Sequence, residues 1–523
     1  MANTATRQLT PTDFRPPVLE PRTRSSGILL HPTSLPGTGG VGDLGLAAHR
    51  FVDFLAAAKQ SLWQFLPLGP VGLGNSPYAA RSAFAGNPLL IDLDRLVECG
   101  WLTDLEQGEA AGGPPDRVRY DQASASKQAT IARAHRRFEA DARPDERAEF
   151  EQFRARQRGW LDDFALFMAL KEVHKESAWF DWDEALVRRQ PEALEAARRE
   201  LAASVRREQF AQYLFFEQWG ALKSYANAHG IRLVGDIPIF VAHDSADVWA
   251  HQDLFFLDPT GRATVVAGVP PDLFSATGQR WGNPLYRWAR LAEQGYAWWI
   301  ERFRHTFQLV DIARLDHFRG FQAYWEVPAA HATAETGRWV AGPGAALFEA
   351  VEAALGRVPV IVEDLGLITP EVVLLRDRLG YPGMKVLQFA FGDDATNPYL
   401  PHNYTQDCVV YTGTHDNDTT VGWFASLPEA ERHNVRRYLG THGDDIAWDL
   451  IRCALASVAD TAIVPLQDVL ALGSEARMNL PGKPDGNWAW RYREDQLRPE
   501  HAERLAELTE VYGRAAVPPA ETP

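Results

Sequence analysis

Asp316, Glu363 and Asp416 each stand at the polar end of a short apolar run. Asp316 closes Leu309-Val310-Asp311-Ile312-Ala313-Arg314-Leu315, and Glu363 closes Val358-Pro359-Val360-Ile361-Val362. Asp416 follows Cys408-Val409-Val410-Tyr411-Thr412-Gly413-Thr414-His415. A fourth acid, Asp236, sits in Gly235-Asp236-Ile237-Pro238 behind a similar run. Paired carboxylates with a further acid beside them suit glycosidic-bond chemistry, one acid carrying a proton and one staying ionised. The same acids with His415 also suit a divalent metal, because such sites mix carboxylates with imidazoles. A single acid of this kind is equally well explained as a helix cap or an arginine partner. As a set they call for a fold that gathers strand ends on one face.

The neighbours of these acids divide the work among them. Arg314 lies two residues before Asp316, on the same face of a strand. Its guanidinium is placed to keep Asp316 ionised. Glu363, crowded by other acids, should hold its proton to higher pH than a free glutamate, as a proton donor must. His317 and His415 are placed to donate hydrogen bonds to sugar hydroxyls or to the acids.

Eight short apolar runs could position such a site: Gly27–Leu30, Leu62–Leu66, Ile231–Val234, Leu309–Leu315, Val358–Val362, Lys385–Phe391, Cys408–Tyr411 and Thr461–Pro465. Helical patterns separate several of them. Leu44–Ala58 repeats apolar residues at helical spacing, and Pro370–Leu379 has Thr369 as N-cap, Pro370 at the first position and Gly380 as a stop. Strands alternating with helices eight times predict a (β/α)8 TIM barrel within residues 25–515. No separate C-terminal β-domain is expected. Two gaps exceed one helix. The first, about 92–230, is charged and helix-rich and reads as an inserted helical subdomain. The second, about 241–300, reads as an active-site loop insertion rich in Pro, Gly and aromatic residues. Residues 1–24 and 516–523 read as tails. Apart from the eight units there is no repeat and no low-complexity linker.

Composition narrows the function. The chain has 523 residues, 46% hydrophobic and 23% charged, ample for a large core. Its net charge of -16 disfavours nucleic acid or an anionic membrane as partner. No apolar stretch approaches the roughly 18 residues of a spanning helix, and the first 24 residues have no apolar signal core, so a cytoplasmic location is expected. A monomer is favoured over an oligomer. The three cysteines are far apart and form no CxxC pair, which suggests neither disulfides nor zinc. Gly37-Thr38-Gly39-Gly40-Val41-Gly42 matches G-x-G-x-x-G. However, His31–Pro36 separates it from its strand, and the next strand ends in Pro67-Leu68-Gly69-Pro70 rather than an acid. The segment is therefore expected to be a flexible loop over the barrel mouth, not a dinucleotide site. Seventeen tryptophans are unusual. Several aromatics, such as Tyr78, Trp281 and Trp488, fall in Gly/Pro/Asn-rich loops, where flat rings suit stacking on sugars.

Seven ordered segments together resemble glycoside hydrolase family 77, the 4-α-glucanotransferases of the α-amylase clan. They are Ser76-Pro77-Tyr78, Gly235–Val241, Gly278-Gln279-Arg280-Trp281-Gly282-Asn283-Pro284, Arg314–Gly320, Glu363-Asp364-Leu365-Gly366, Thr414–Asp418 and Gly486-Asn487-Trp488-Ala489-Trp490. The likeness runs from about Ser26 to Arg493. It implies that Asp316 is the nucleophile of a retaining reaction, Glu363 the acid and then the base, and Asp416 the clamp on the sugar at the cleavage point. A retaining pair is about 5–5.5 Å apart. The resemblance further implies that Arg314 orients Asp316, that Asp236, His415 and Tyr78 line the same subsite, and that Phe274, Trp281, Asn283, Pro284 and Asn487 contact the glucan. The implied substrates are α-1,4-glucans, with glucose as an acceptor. No cofactor and no metal are expected: Phe240-Val241-Ala242-His243 replaces the Asn-His by which many α-amylases hold calcium. Activity should therefore survive exhaustive chelation. Leu73, in Gly72-Leu73-Gly74, stands where some members carry an aromatic residue, so a secondary glucan-binding surface built on it should be weaker.

Hydrolases use the same acids, and the outcome depends on what meets the glucosyl ester. Transfer needs water excluded and an acceptor positioned. The segments 268–288 and 472–490 are expected to close over the glucan, with Trp281 and Phe274 as hydrophobic guides. A hydrolase of the same clan and a catalytically silent glucan-binding protein are the alternatives. The presence of all three acids weighs against the latter.

Overall fold

The computed structural model describes residues 24–515, apart from 38, 111, 272–274 and 484; the side chains of Leu73 and Ala110 also lie outside the description. The expected tails therefore fall outside the described residues, save Arg24. Twelve strands occur in chain order: β1 (Ser25–Leu29), β2 (Leu62–Gln64), β3 (Arg232–Ile237), β4 (Val265–Val269), β5 (Gln279–Pro284), β6 (Ile312–Leu315), β7 (Ala323–Pro328), β8 (Arg338–Ala341), β9 (Val360–Val362), β10 (Gly383–Val386), β11 (Cys408–Tyr411) and β12 (Thr461–Pro465).

Strands such as Val360-Ile361-Val362 and Cys408-Val409-Val410-Tyr411 are buried at every position, so both of their faces are covered. Eight strands of this kind pair in parallel in the order β10-β11-β12-β1-β2-β3-β6-β9. The two ends approach where the Val362 N–H donates to the Pro382 carbonyl at 3.0 Å, just before β10. The result is a nearly closed (β/α)8 barrel, as the strand count predicted. Gly27 shows how tightly it closes: a Cβ there would stand 2.4 Å from Leu62 Cβ on the neighbouring strand. At the foot, the buried Arg514 donates to the carbonyls of Leu455, Ser25, Asp460, Ser457 and Ala459, tying the chain's end to β1 and to the approach of β12. Arg24 joins this knot through Tyr512, Ser457 and Leu455 carbonyls.

Between β2 and β3 every regular element is helical, the longest being Tyr120–Asp141, Pro144–Val173 and Ala202–Ala228. Phe138, Phe150 and Phe210 form their shared core, with Phe138 and Phe210 centroids 4.7 Å apart. Gln212 and Trp219, on the last helix, bond Gly86 and Leu309 and fasten this insertion to the barrel.

Four strands are absent from the count made on sequence. β4, β5, β7 and β8 form a separate antiparallel sheet, ordered β5-β4-β7-β8. The stretch 241–300 is therefore not only loop. Its strands β4 and β5 are short, contain Gly268 and Gly282, and pair with a register shift between Val266 and Gly268, while β4 takes its other neighbour, β7, from beyond β6, so no clean alternation marks them. The sixth barrel run also ends early, at Val386, because Leu387–Phe389 turns into a 3-10 helix. Finally, the glycine-rich segment after β1 is fastened rather than free. Arg491 donates to the carbonyls of Leu35 and Gly37, and a Cβ at Gly42 would strike the Pro32 carbonyl. No helix among the described residues is long and apolar enough to cross a membrane.

Candidate active site

The parallel ladder sets the acids side by side. Asp236 on β3 is in register with Arg314 on β6, and Leu315 with Val362 on β9. The ladder runs on past the strands: Asp316 N–H donates to the Ile237 carbonyl and Glu363 N–H to the Leu315 carbonyl, at 3.0 and 2.9 Å. Asp316 and Glu363 thus leave adjacent strands at the same level, and Asp236 stands on the next strand, level with Arg314.

A single buried cation organises the first two. Arg314 Nη1 donates to Asp236 Oδ2 at 2.6 Å and to Asp316 Oδ1 at 2.9 Å. Burial works against the guanidinium's charge, but Asp236 and Asp316 outweigh it and hold its pKa well above the usual value. Asp236 is fully enclosed and also accepts from Tyr78 Oη at 2.7 Å. Burial pushes its carboxyl above the usual range, even with the guanidinium beside it. Asp316 keeps 28% of its side chain exposed and is the acid that faces the groove.

Among the described residues, Glu363 receives only backbone donors. The His317 N–H reaches Oε2 at 2.8 Å and the Leu365 N–H reaches Oε1 at 2.9 Å. Burial, then the charge of Asp316, pushes its pKa from 4.5 to about 8, against the pull of Arg314 and the two N–H groups. A glutamic acid that keeps its proton at neutral pH is a proton donor. His317 pays for its grip with a left-handed backbone, φ +50°. Burial pushes its ring down to about 4, so the imidazole is neutral.

Asp416 arrives from the loop after β11 and is half-exposed. Asn479 Nδ2 donates to its Oδ1 at 2.6 Å, Arg477 Nη2 donates to its carbonyl at 2.6 Å, and His415 Nε2 lies 3.4 Å from the carboxylate. His415 stacks on Tyr78 with centroids 5.1 Å apart and planes at 20°. Trp488, itself at φ +63°, lies 5.9 Å from both rings.

The structure therefore brings Asp316, Glu363, Asp416, Asp236, Arg314, Tyr78 and His415 into one cluster. Trp281 joins it from β5: 40% exposed, it meets His317 edge-on at 4.8 Å. The remaining candidates stand differently. Asn283 donates to the Val241 carbonyl, Pro284 is buried in β5, and Asn487 bonds Leu480 and Lys483 within its own loop. Phe274 lies outside the described residues. Sequence reasoning overlooked Asn479 and Arg477, lone polar residues some sixty positions from the acid they hold, with no motif to mark them. It named Trp488 but gave it no place. Among the described residues, no three His, Cys, Asp or Glu side chains are grouped so as to hold a metal ion.

Comparison with known proteins bears on the family and the fold. A family model described as 4-alpha-glucanotransferase matches residues 30–497. A 4-alpha-glucanotransferase of Thermus thermophilus is 53% identical over 499 residues, covering 94% of this chain and 99% of the relative. One from Synechocystis is 53% identical over 495 residues, covering 94% and 98%. Among solved structures, the amylomaltase from Streptococcus agalactiae in complex with acarbose superposes with a TM-score of 0.92 at 38% identity, covering 94% of this chain and all of that one.

Proposed function

The chain belongs to glycoside hydrolase family 77 and is a 4-α-glucanotransferase, and from that premise we propose how its residues carry out the transfer. The observation that carries the reading is the uneven distribution of cations: Arg314 donates to Asp236 and Asp316, whereas Glu363 meets only backbone N–H groups. The ion-paired acid is the nucleophile and the protonated one is the acid.

In the first half of the reaction an α-1,4-glucan lies across the cluster. Asp316 attacks C1 of the sugar at the cleavage point as Glu363 gives its proton to the departing 4-oxygen. The C1–O bond breaks, and a β-glucosyl ester forms on Asp316. In the second half the 4-hydroxyl of glucose or of another glucan attacks C1. Its proton passes to Glu363, and the ester bond breaks. The product is an α-linkage again, because two inversions retain the configuration. Asp416, held by Asn479 and flanked by His415, accepts from sugar hydroxyls and stabilises the oxocarbenium-like transition state. Tyr78 and Trp488 wall the same sugar. Asn283, Pro284 and Asn487 then shape the groove by holding loops. When the attacking hydroxyl belongs to the far end of the same glucan, the product is a cycloamylose.

Incubation with maltotriose tests the proposal. Transfer gives glucose and a ladder of longer maltooligosaccharides at nearly constant reducing-end count. A steady rise in reducing ends would identify a hydrolase. Loss of turnover with binding retained in Asp316→Asn and Glu363→Gln is expected.

A further inference from the structure

Trp339 and Leu367 are two of the few large apolar side chains left exposed, at 38% and 69%. They come from different parts of the chain, β8 and the loop after β9, yet one residue joins them. Arg319, itself buried, lays its guanidinium 3.8 Å from the centroid of the Trp339 ring and donates from Nη1 to the Leu367 carbonyl. It forms no ion pair with a carboxylate among the described residues, and its Nε has no partner there. Glu371 acts on it only from beyond ion-pair distance, and a buried cation so weakly compensated is costly unless its position is needed. Here it backs an indole and anchors a loop.

The indole is fixed in advance. Trp325, opposite Trp339 in the β7–β8 ladder, packs against it at 5.2 Å and 63°, and its own Nε1 donates to Ala334. One face of Trp339 is covered by Arg319, which leaves its exposed surface turned outward and held rigid. A ligand stacking there loses little side-chain entropy on binding.

The place of this patch in the chain says what it serves. Arg319 is three residues beyond Asp316, and Leu367 is four beyond Glu363. Tyr78 stacks on His415, which lies beside Asp416, and in the reading above these three surround the sugar that becomes esterified. The loop after β9 instead carries the acid that protonates the departing oxygen, so it flanks the leaving group and later the acceptor. We propose that Trp339, backed by Arg319 and bordered by Leu367, is a distal acceptor subsite that stacks on a glucose unit of an α-glucan several residues from the reacting 4-hydroxyl. The inference rests on the glucan-transfer reading above. It assigns to that reading a preference for long acceptors.

The test compares acceptors with one donor. In Trp339→Ala, the KM for maltoheptaose as acceptor should rise roughly three- to tenfold more than the KM for glucose, the worth of one aromatic contact. Trp339→Phe, which keeps a flat face, should restore most of the difference. Equal changes for both acceptors, or none, would overturn the subsite while the unsubstituted protein still disproportionates maltotriose. If the unsubstituted protein gives no ladder from maltotriose, the transfer reading fails and this inference falls with it.

Discussion

Arg314 is the residue on which the division of labour turns. By pairing with Asp236 and Asp316 it leaves Glu363 in a pocket where burial decides protonation. The sign of the pH dependence follows. In the mechanism proposed above Glu363 enters the first half-reaction protonated, and burial raises its pKa to about 8. The kcat/KM for maltotriose should therefore fall as pH climbs through about 8, whereas an ordinary glutamate would begin to lose its proton near 4.5. In Glu363→Gln that alkaline limb should vanish along with most activity toward unactivated glucans; a limb that persists unchanged would assign it to another group. This pairing was legible in the sequence, because two residues along a strand return to the same face and Arg314 stands two before Asp316. The Asn479–Asp416 bond was not. It joins two loops far apart in sequence, and nothing in the residue type of a lone asparagine foretells its partner.

At the scale of elements, the barrel strands could be read because strands buried on both faces are continuous apolar runs with sharp ends. The four-stranded sheet over the mouth could not. β4 and β5 pair with each other, as do β7 and β8, but the two pairs are separated by β6 and join into one sheet only through the β4–β7 ladder, which is distant in sequence. That sheet nonetheless bears on the acceptor in the proposed mechanism. β5 presents Trp281 against His317, the residue whose N–H holds Glu363. In the mechanism proposed above the ring would keep water from the proton donor. Trp281→Ala should lower transfer more than hydrolysis, raising the ratio of free glucose released to longer oligosaccharides formed. Equal losses in both would count against a shielding role. The glycine-rich segment after β1 teaches the opposite lesson. Its composition suggested mobility, yet Arg491 from another loop fastens it.

The whole molecule depends on a barrel that closes. Arg514 donates to five carbonyls at the foot, and burial lowers its pKa to about 9 against the opposing charge of Asp460. Arg514→Met would strand several buried acceptors, so equilibrium unfolding should show a loss of about 2–4 kcal/mol, while turnover by the folded fraction remains. No loss of stability would mean that the knot is dispensable. The barrel keeps Asp316 and Glu363 on adjacent strands, and in the proposed mechanism the cycle passes through an ester on Asp316. Glu363→Gln, given an α-maltosyl fluoride, needs no acid to expel fluoride and has no base to activate an acceptor, so the ester should accumulate. Mass analysis of the digested protein should find the peptide containing Asp316 heavier by one maltosyl unit. An adduct on another residue, or no adduct together with an inverted product, would contradict the account.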